Sequence, residues 1–531
     1  MPTDCISFKD TNYFSSLICD YLDENEQIKP LYNRFPKLES FKAQIDEKSL
    51  SFTKESRTVL VDALKSQYKK LDVSELTSQN IESLQKENTF TITTGHQLNL
   101  FTGPLYFLYK IISAINLSKE LKAKYPESNF VPVYWMATED HDFDEINYFN
   151  FKGKKVQWSR NASGAVGHLK TEGLDKVLDV FTADLGFGEN ANFIKKLFKD
   201  AYLNHDNLAE ATRFIANELF GNYGLVILDA DDRDLKAQFK PYVKRELLER
   251  VSFEKVYKTN EDINKLGFNV QVNPREINLF YLKDGLRERI VYEKDVYKVV
   301  DANISWSKSE LLKHLDEVPE RFSPNVIMRP LYQEVILPNL CYIGGGGELA
   351  YWLQLKDYFE AVDVPFPMLL LRNSVLVKTS KQSEKLEKLD LSIKELFLKQ
   401  ETLVNEQVEK HSNIDIDFTT QKVHLQNQFK ALYILAEQTD KSFIGAVAAQ
   451  EKKQLKGLSN LEKRLLKAQK RKLSDQISRI TDIQDQLFPG QSLQERNLNF
   501  SELYLEFGDR LIQQLVLNLQ PLKGDFLILE L

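Results

Sequence analysis

Six ionisable side chains crowd the segment "WMATEDHDFDEIN", Trp135 to Asn147: Glu139, Asp140, His141, Asp142, Asp144 and Glu145. Ionised together in a partly dry cleft they would repel one another, so a cation is expected to offset them, either a metal ion or a substrate ammonium. Imidazole with carboxylates suits several divalent ions, but no pair of histidines sits one helical turn apart, and no structural metal is expected. In the ammonium reading Glu139 and Asp140 hold the substrate, Asp142 or Glu145 acts as general base, and His141 completes the catalytic set. An exposed acidic loop with a helix-capping Asp is the plain alternative.

Two further stretches combine glycines with polar side chains. "TTGHQLNLFTGPLYFLYK", Thr93 to Lys110, offers Gly95 and Gly103 for close backbone approach, and Gln97, Asn99 and Thr102 for directional hydrogen bonds. The helix opening near Pro104 would add free N–H groups and a positive dipole end, and Lys110 a cation, so a phosphate would fit there. It is neither a P-loop nor a dinucleotide fingerprint, and a structural turn remains the alternative. "RPLYQEVILPNLCYIGGGGELAYWLQL", Arg329 to Leu355, contains Gly344, Gly345, Gly346 and Gly347, more glycines than a tight turn requires. Close ligand approach is the simplest account. Arg329, Glu334, Tyr351 and Trp352 flank it as substrate-binding candidates, and "LLLRNS" adds Arg372 and Ser374, the former suited to a carboxylate or phosphate. Asp229 and Asp231 in "LDADDRD" either face the same cleft or form an exposed turn, and His168 carries no signal.

Positioning these clusters requires a sheet. Five apolar runs, starting at Phe90, Asn129, Gly224, Asn339 and Pro365, alternate with helical patterns and lack a polar face, as expected for parallel strands covered on both sides. The polar clusters follow the carboxyl ends of these strands, where open α/β sheets bind ligands. The fold class is therefore α/β with a Rossmann-like parallel core. Residues 151–210 show little periodicity, and alternation with "KDG" predicts antiparallel hairpins within 253–300. Both stretches read as insertions, at about 151–210 and 253–320, into a core spanning 1–377. From 378 to 488, Lys, Glu, Gln and Leu dominate. Leu386, Leu389, Ile393, Leu396 and Leu403 keep coiled-coil spacing, which predicts long antiparallel helices. Residues 489–531 return to the core as a short helix and an apolar tail.

Composition narrows the function. A chain of 531 residues with net charge -7 gives no reason to expect nucleic acid, and no apolar run reaches the roughly 18 residues of a membrane span. Three cysteines without metal-type spacing fit a reducing compartment, so a cytoplasmic protein is expected.

The segments "TGHQLNLFTGPLYFLYKIISAINL", "PVYWMATEDHDFDEIN", "SPNVIMRPLYQEVILPNLCYIGGGGELAYW" and "SLQERNLNF" together resemble the bacillithiol-synthesis cysteine-adding enzyme family of cysteine ligases. The resemblance runs almost end to end. It implies a core related to nucleotidyltransferases and class I synthetases, connecting insertions, and a C-terminal coiled coil able to form a homodimer. It also implies a reaction, the addition of cysteine to glucosaminyl malate in the last step towards bacillithiol. The family shows Gln at the position of His96, which favours Gln97 for a role here. Joining a carboxylate to an amine in water needs an activated acyl group, so ATP or another adenine nucleotide with Mg is expected. Gly95, Thr102, Gly103, Lys110, the four glycines, Arg372 and Ser374 are its candidate contacts. The competing readings are a metal-dependent hydrolase or transferase built on Glu139–Glu145, and a non-catalytic assembly factor of the same pathway.

Overall fold

The computed structural model describes residues 3–439 and 441–531. The chain divides into two compact units, Met1–Val377 with Gln494–Leu531, and Lys378–Leu493.

At the centre of the larger unit lies a five-stranded sheet built from the five apolar runs: β1 (Thr89–His96), β2 (Asn129–Met136), β3 (Val226–Asp229), β4 (Asn339–Gly344) and β5 (Met368–Leu371). Their order across the sheet is β5-β4-β1-β2-β3, with every neighbouring pair parallel. This is the doubly wound order, and its direction reverses between β1 and β4, which opens a crevice at their carboxyl ends. Burial on both faces explains the lack of alternation, and the threonines of β1 are satisfied internally. Thr93 Oγ1 donates to Asn339 Oδ1 (2.8 Å), whose amide donates to Glu334 Oε1 (2.7 Å). Helix α1 (Tyr106–Lys124), predicted as an amphipathic stripe, is buried on nearly all sides. The helix Arg510–Asn518 covers its outer face, and Asn116 Nδ2 donates to the carbonyls of Val516 (2.9 Å) and Leu519 (2.7 Å).

The second predicted insertion begins within the helix Val251–Lys265 and contributes four strands to a five-stranded sheet in which every adjacent pair is antiparallel, with Leu279–Lys283 and Leu286–Glu293 joined by the "KDG" turn; the fifth strand, Phe322–Pro324, lies just past its predicted end. The stretch from 151 to 210 differs from its reading. Instead of aperiodic loop it holds the helices Leu174–Leu185 and Glu189–Leu203, with Leu174, Val177, Phe181 and Leu185 buried along one face. Gly173, Gly186 and Gly188 bound these helices and mask the periodicity.

The C-terminal segment threads back through the larger unit. Gln494 accepts from Val377 N–H (3.0 Å) and donates to Val377 O (2.9 Å). The apolar tail is a strand, Asp525–Glu530, lying between Thr3–Ser7 and Ser374–Lys378.

In the smaller unit the helices Thr419–Ala436 and Lys441–Lys472 run antiparallel, since Lys422 meets Glu462 (2.6 Å) while Tyr433 meets Glu451 (2.8 Å). The predicted long helix through Leu386 to Leu403 is instead three short ones, Ser380–Lys388, Ile393–Leu396 and Gln400–His411. Thr379 and Ser392 form capping boxes that restart the chain.

Candidate active site

A cavity of about 620 Å³ opens at the carboxyl ends of the central strands. Its wall includes Gly95, Gln97, Lys110, Glu139, Asp140, His141, Arg329 and Tyr351, which the sequence had singled out, together with His96, Asp231, Arg275, Arg287, Arg289, Tyr342 and Glu348. Loops more than 200 residues apart therefore converge on one pocket.

After β1, Gln97 Nε2 donates to Asp140 Oδ2 (2.9 Å) and to Glu145 Oε2 (2.8 Å), joining the first polar cluster to the acidic one. The chain then turns away from the cavity through three consecutive positive-φ residues, Phe101 (46°), Thr102 (70°) and Gly103 (62°). Such strain needs support from the surroundings. Asn499 Nδ2 donates to the carbonyls of Phe101 and Gly103, each at 2.7 Å, and Leu105 N–H donates to Leu498 O (2.7 Å). Asn99, Thr102 and Gly103 thus lie outside the cavity wall, and the expected free helix N-terminus is covered by the C-terminal segment. Gly103 is required there because a Cβ would stand 2.5 Å from that of Asn99.

Following β2, the acidic segment splits. Glu139 turns inward and its side chain is 13% exposed, with Oε2 3.0 Å from Lys236 Nζ. Burial raises its pKa, and the nearby Asp231 carboxylate adds to this against the pull of Lys236. His141 Nδ1 accepts from Arg287 Nη1 (2.7 Å), because a guanidinium can only donate; burial and this cation lower the imidazole pKa, so the ring is neutral. Asp142, Asp144 and Glu145 are exposed, and none lies in the cavity wall. Among the described residues no three His, Cys, Asp or Glu side chains gather as a metal site.

At the end of β3, Asp231 lines the cavity. One of its oxygens lies 3.0 Å from Lys236 Nζ and the other 2.7 Å from His168 Nε2. The Lys236 ammonium and the bonded imidazole of His168 outweigh the burial that would raise it and lower its pKa to about 2. Lys236 is carried by the first turns of α2 (Arg233–Glu249), which Asp232 caps by accepting from Asp234 N–H and Leu235 N–H.

On the β4 side, Tyr342 OH donates to Glu348 Oε2 (2.8 Å), while Lys110 Nζ donates to Glu348 Oε1 and to Gly95 O (2.7 Å). Arg329, from α3 (Met328–Ile336), stands among the rings of Trp135, Tyr342 and Trp352, with its guanidinium carbon 5.7, 5.6 and 5.9 Å from their centroids. Among the described residues no carboxylate reaches ion-pairing distance of Arg329. Its partners are Gln333 Oε1 (3.1 Å) and Tyr351 OH (3.4 Å).

Several expected contacts sit elsewhere. The four-glycine run lies outside the cavity wall: a Cβ on Gly344 would meet the Tyr342 ring at 2.9 Å, and Gly346 opens α4 (Gly346–Trp352), with Glu348 in its first turn. Arg372 pairs with Glu495 (2.7 Å), which also accepts from Ser374 Oγ (3.1 Å), all buried. Glu334 is sealed against Lys48 (3.5 Å), and Trp352 stacks fully buried on Tyr342. Sequence reasoning missed Lys236, Arg287 and the partner of His168; the only signal was Lys236 lying two residues beyond "DADDRD".

Fold and cavity define a Rossmann-like α/β protein with a cavity lined by charged and aromatic side chains at its topological switch point, carrying a helical second unit. Family models place it further. Residues 1–373 match the bacillithiol biosynthesis BshC N-terminal Rossmann-like domain, and residues 375–531 the BshC C-terminal coiled-coil domain. A Flavobacterium johnsoniae protein named "Putative cysteine ligase BshC" is 62% identical over the full length of both chains. One of the same name from Christiangramia forsetii is 61% identical over 100% of this chain and 99% of its own. A Bacillus cereus relative is 28% identical over 94% and 95%. The chain belongs to the BshC family. No helix among the described residues is long and apolar enough to cross a membrane.

Proposed function

We propose that this protein is a cysteine ligase that joins the carboxyl group of cysteine to the amino group of glucosaminyl malate, the last step of bacillithiol biosynthesis. The family membership supports this reading. The observation that carries it at the site is the pairing, within one cavity, of a guanidinium bonded to the neutral Gln333 and Tyr351, Arg329, with an inward carboxyl group of raised proton affinity, Glu139. Ionised cysteine and glucosaminyl malate each carry an ammonium and at least one carboxylate, so a two-poled pocket matches their chemistry.

Amide formation needs a neutral amine and an activated carbonyl carbon. Arg329 holds an anionic group, with its orientation fixed by the three rings around it. Glu139 takes the proton that leaves the amine as the carbon–nitrogen bond forms, a role that suits a carboxylate with raised pKa better than the exposed Asp142 and Glu145. ATP with Mg2+ would supply the activation of the cysteine carboxyl group. The donor set for its phosphates is one of side chains, Arg275 and Arg289, which are exposed and line the cavity, because the start of α1 is covered by the C-terminal segment. The reaction belongs in the cytoplasm, where cysteine stays reduced and ATP is abundant.

The helical unit is proposed to pair two copies of the chain. Ile434 and Leu435 are 63% and 53% exposed on its antiparallel helices, which supports that reading. Light scattering of the intact protein reads the mass of the assembly directly.

The central test incubates purified protein with cysteine, glucosaminyl malate and ATP-Mg and follows the amide product by mass spectrometry. Absence of product with every nucleotide tried, under conditions where the protein is folded, defeats the assignment.

A further inference from the structure

His168 lies outside the cavity wall, yet its turn is built onto the segment that carries Glu139. In the turn Val166–His168, Val166 N–H donates to Asp140 O (2.7 Å) and Gly167 N–H to Thr138 O (2.9 Å), the carbonyls on either side of Glu139. The approach is so close that a Cβ on Gly167 would stand 2.0 Å from Thr138 Cγ2. From this fixed position His168 Nε2 reaches Asp231 Oδ2 at 2.7 Å. Asp231 Oδ1 reaches Lys236 Nζ at 3.0 Å, and Lys236 Nζ reaches Glu139 Oε2 at 3.0 Å. The ammonium completes its set by donating to Glu320 O (2.8 Å). Asp231 and Lys236 have side chains 7% and 2% exposed, whereas that of His168 is 51% exposed.

We propose that His168 is a positioning residue of the ligase site, which acts on Glu139 through the Asp231–Lys236 ion pair and sets how readily Glu139 accepts a proton.

The argument is one of charge in a poorly solvated space. The groups facing Glu139 and His168 are Asp140, Asp229 and Asp231 among the carboxylates, and Lys236 and Arg287 among the cations; Asp229 has a further partner in Arg213 (3.7 Å). Tyr332 and Ser323 also approach Glu139, as uncharged groups. With Glu139 ionised and His168 neutral, the four carboxylates exceed the three cations by one. Protonating His168 balances them. An unbalanced buried charge is relieved by taking up a proton, and Glu139, which shares with Asp231 the cation it pairs with, Lys236, is the carboxylate that takes it. The bonding to Asp231 raises the pKa of His168 itself, which brings its titration towards neutral pH.

The proposal rests on the role given to Glu139, so its test has a readout independent of turnover. The infrared carboxylic-acid band of Glu139, identified by its loss in E139Q, is titrated with pH in the wild-type protein and in H168N and H168K. His168→Asn keeps a side-chain donor without the charge, and His168→Lys keeps the charge at every relevant pH. The expected result is a Glu139 midpoint higher by about half a unit or more in H168N than in H168K. The acid limb of kcat/KM moves the same way. Coincident midpoints in the two variants overturn the proposal, even if both lose activity. If the band shifts while no amide is ever formed, the coupling stands and the ligase reading falls. If amide forms with coincident midpoints, the reverse holds.

Discussion

Lys110 on α1 and Glu348 in the first turn of α4 form an ion pair across the point where strand order reverses, clamping β1 to β4 beneath the cavity. The lysine side chain is 3% exposed and holds Gly95 O with its remaining reach. Burial lowers the pKa of this ammonium, and Glu348 opposes that shift. Glu348→Gln is expected to leave a buried ammonium with neutral oxygen partners alone and to destabilise the protein by about 3 kcal/mol. The double variant Lys110→Met/Glu348→Gln is expected to recover part of that loss, and urea unfolding of the three proteins measures both effects.

Arg329 has its orientation set by aromatic rings, and Lys has neither the planar face nor the fork to replace it. Arg329→Lys is expected to lower kcat/KM by roughly two orders of magnitude while leaving the fold intact. Steady-state kinetics with each substrate varied in turn identifies which anion it holds, as the one whose KM rises.

Glu139 and the outer carboxylates are separable by mutation. Glu139→Gln is expected to lower kcat at least 100-fold, within the range of a lost general base. Asp142→Asn and Glu145→Gln, on exposed side chains outside the cavity wall, are expected to stay within about threefold of wild type, since surface changes away from the chemistry have small effects. A collapse of turnover in D142N would return the base to the outer segment.

The Asp231–His168 pair dictates the sign of a pH effect on stability. Asp231 has its pKa lowered to about 2, so its contribution is complete above the unfolded-state value near 4 and disappears as pH falls through the folded value. His168 has its pKa raised, so its contribution is complete below its unfolded value near 6.5 and disappears as pH rises through the folded one. The stability lost in Asp231→Asn is therefore expected to be greatest between about pH 4 and 6.5, at about 2 kcal/mol or more. It shrinks towards pH 2 and partly above pH 7. Denaturant unfolding at pH 3, 5.5 and 8 checks the profile.

All five central strands were legible because a strand buried on both faces must be apolar throughout, and the clusters at their ends were legible because loops carry polar groups where ligands bind. Side-chain direction was not. Glu139 and Asp142 look equivalent in sequence, and the turn at Thr138–Glu139, closed by Asp140 N–H on Ala137 O, leaves one inward and the other in solvent. The glycine run misled because the ring that Gly344 accommodates belongs to Tyr342, two residues back, and strand packing fixes that ring. Helix Leu174–Leu185 was missed because bounding glycines hid a regular apolar face. His168 gave no hint because its partner lies on another strand end, a separation that pattern reading does not cross.

The side chain of Asn499 satisfies carbonyls 398 and 396 positions earlier in the chain. During synthesis the bend that leads from the cavity into α1 therefore waits for a segment made only after the entire helical unit has emerged. Until then the positive-φ bend at Phe101–Gly103 lacks the donor that Asn499 brings to its carbonyls, and a nascent chain halted before that point carries the central strands without this support for the turn into α1.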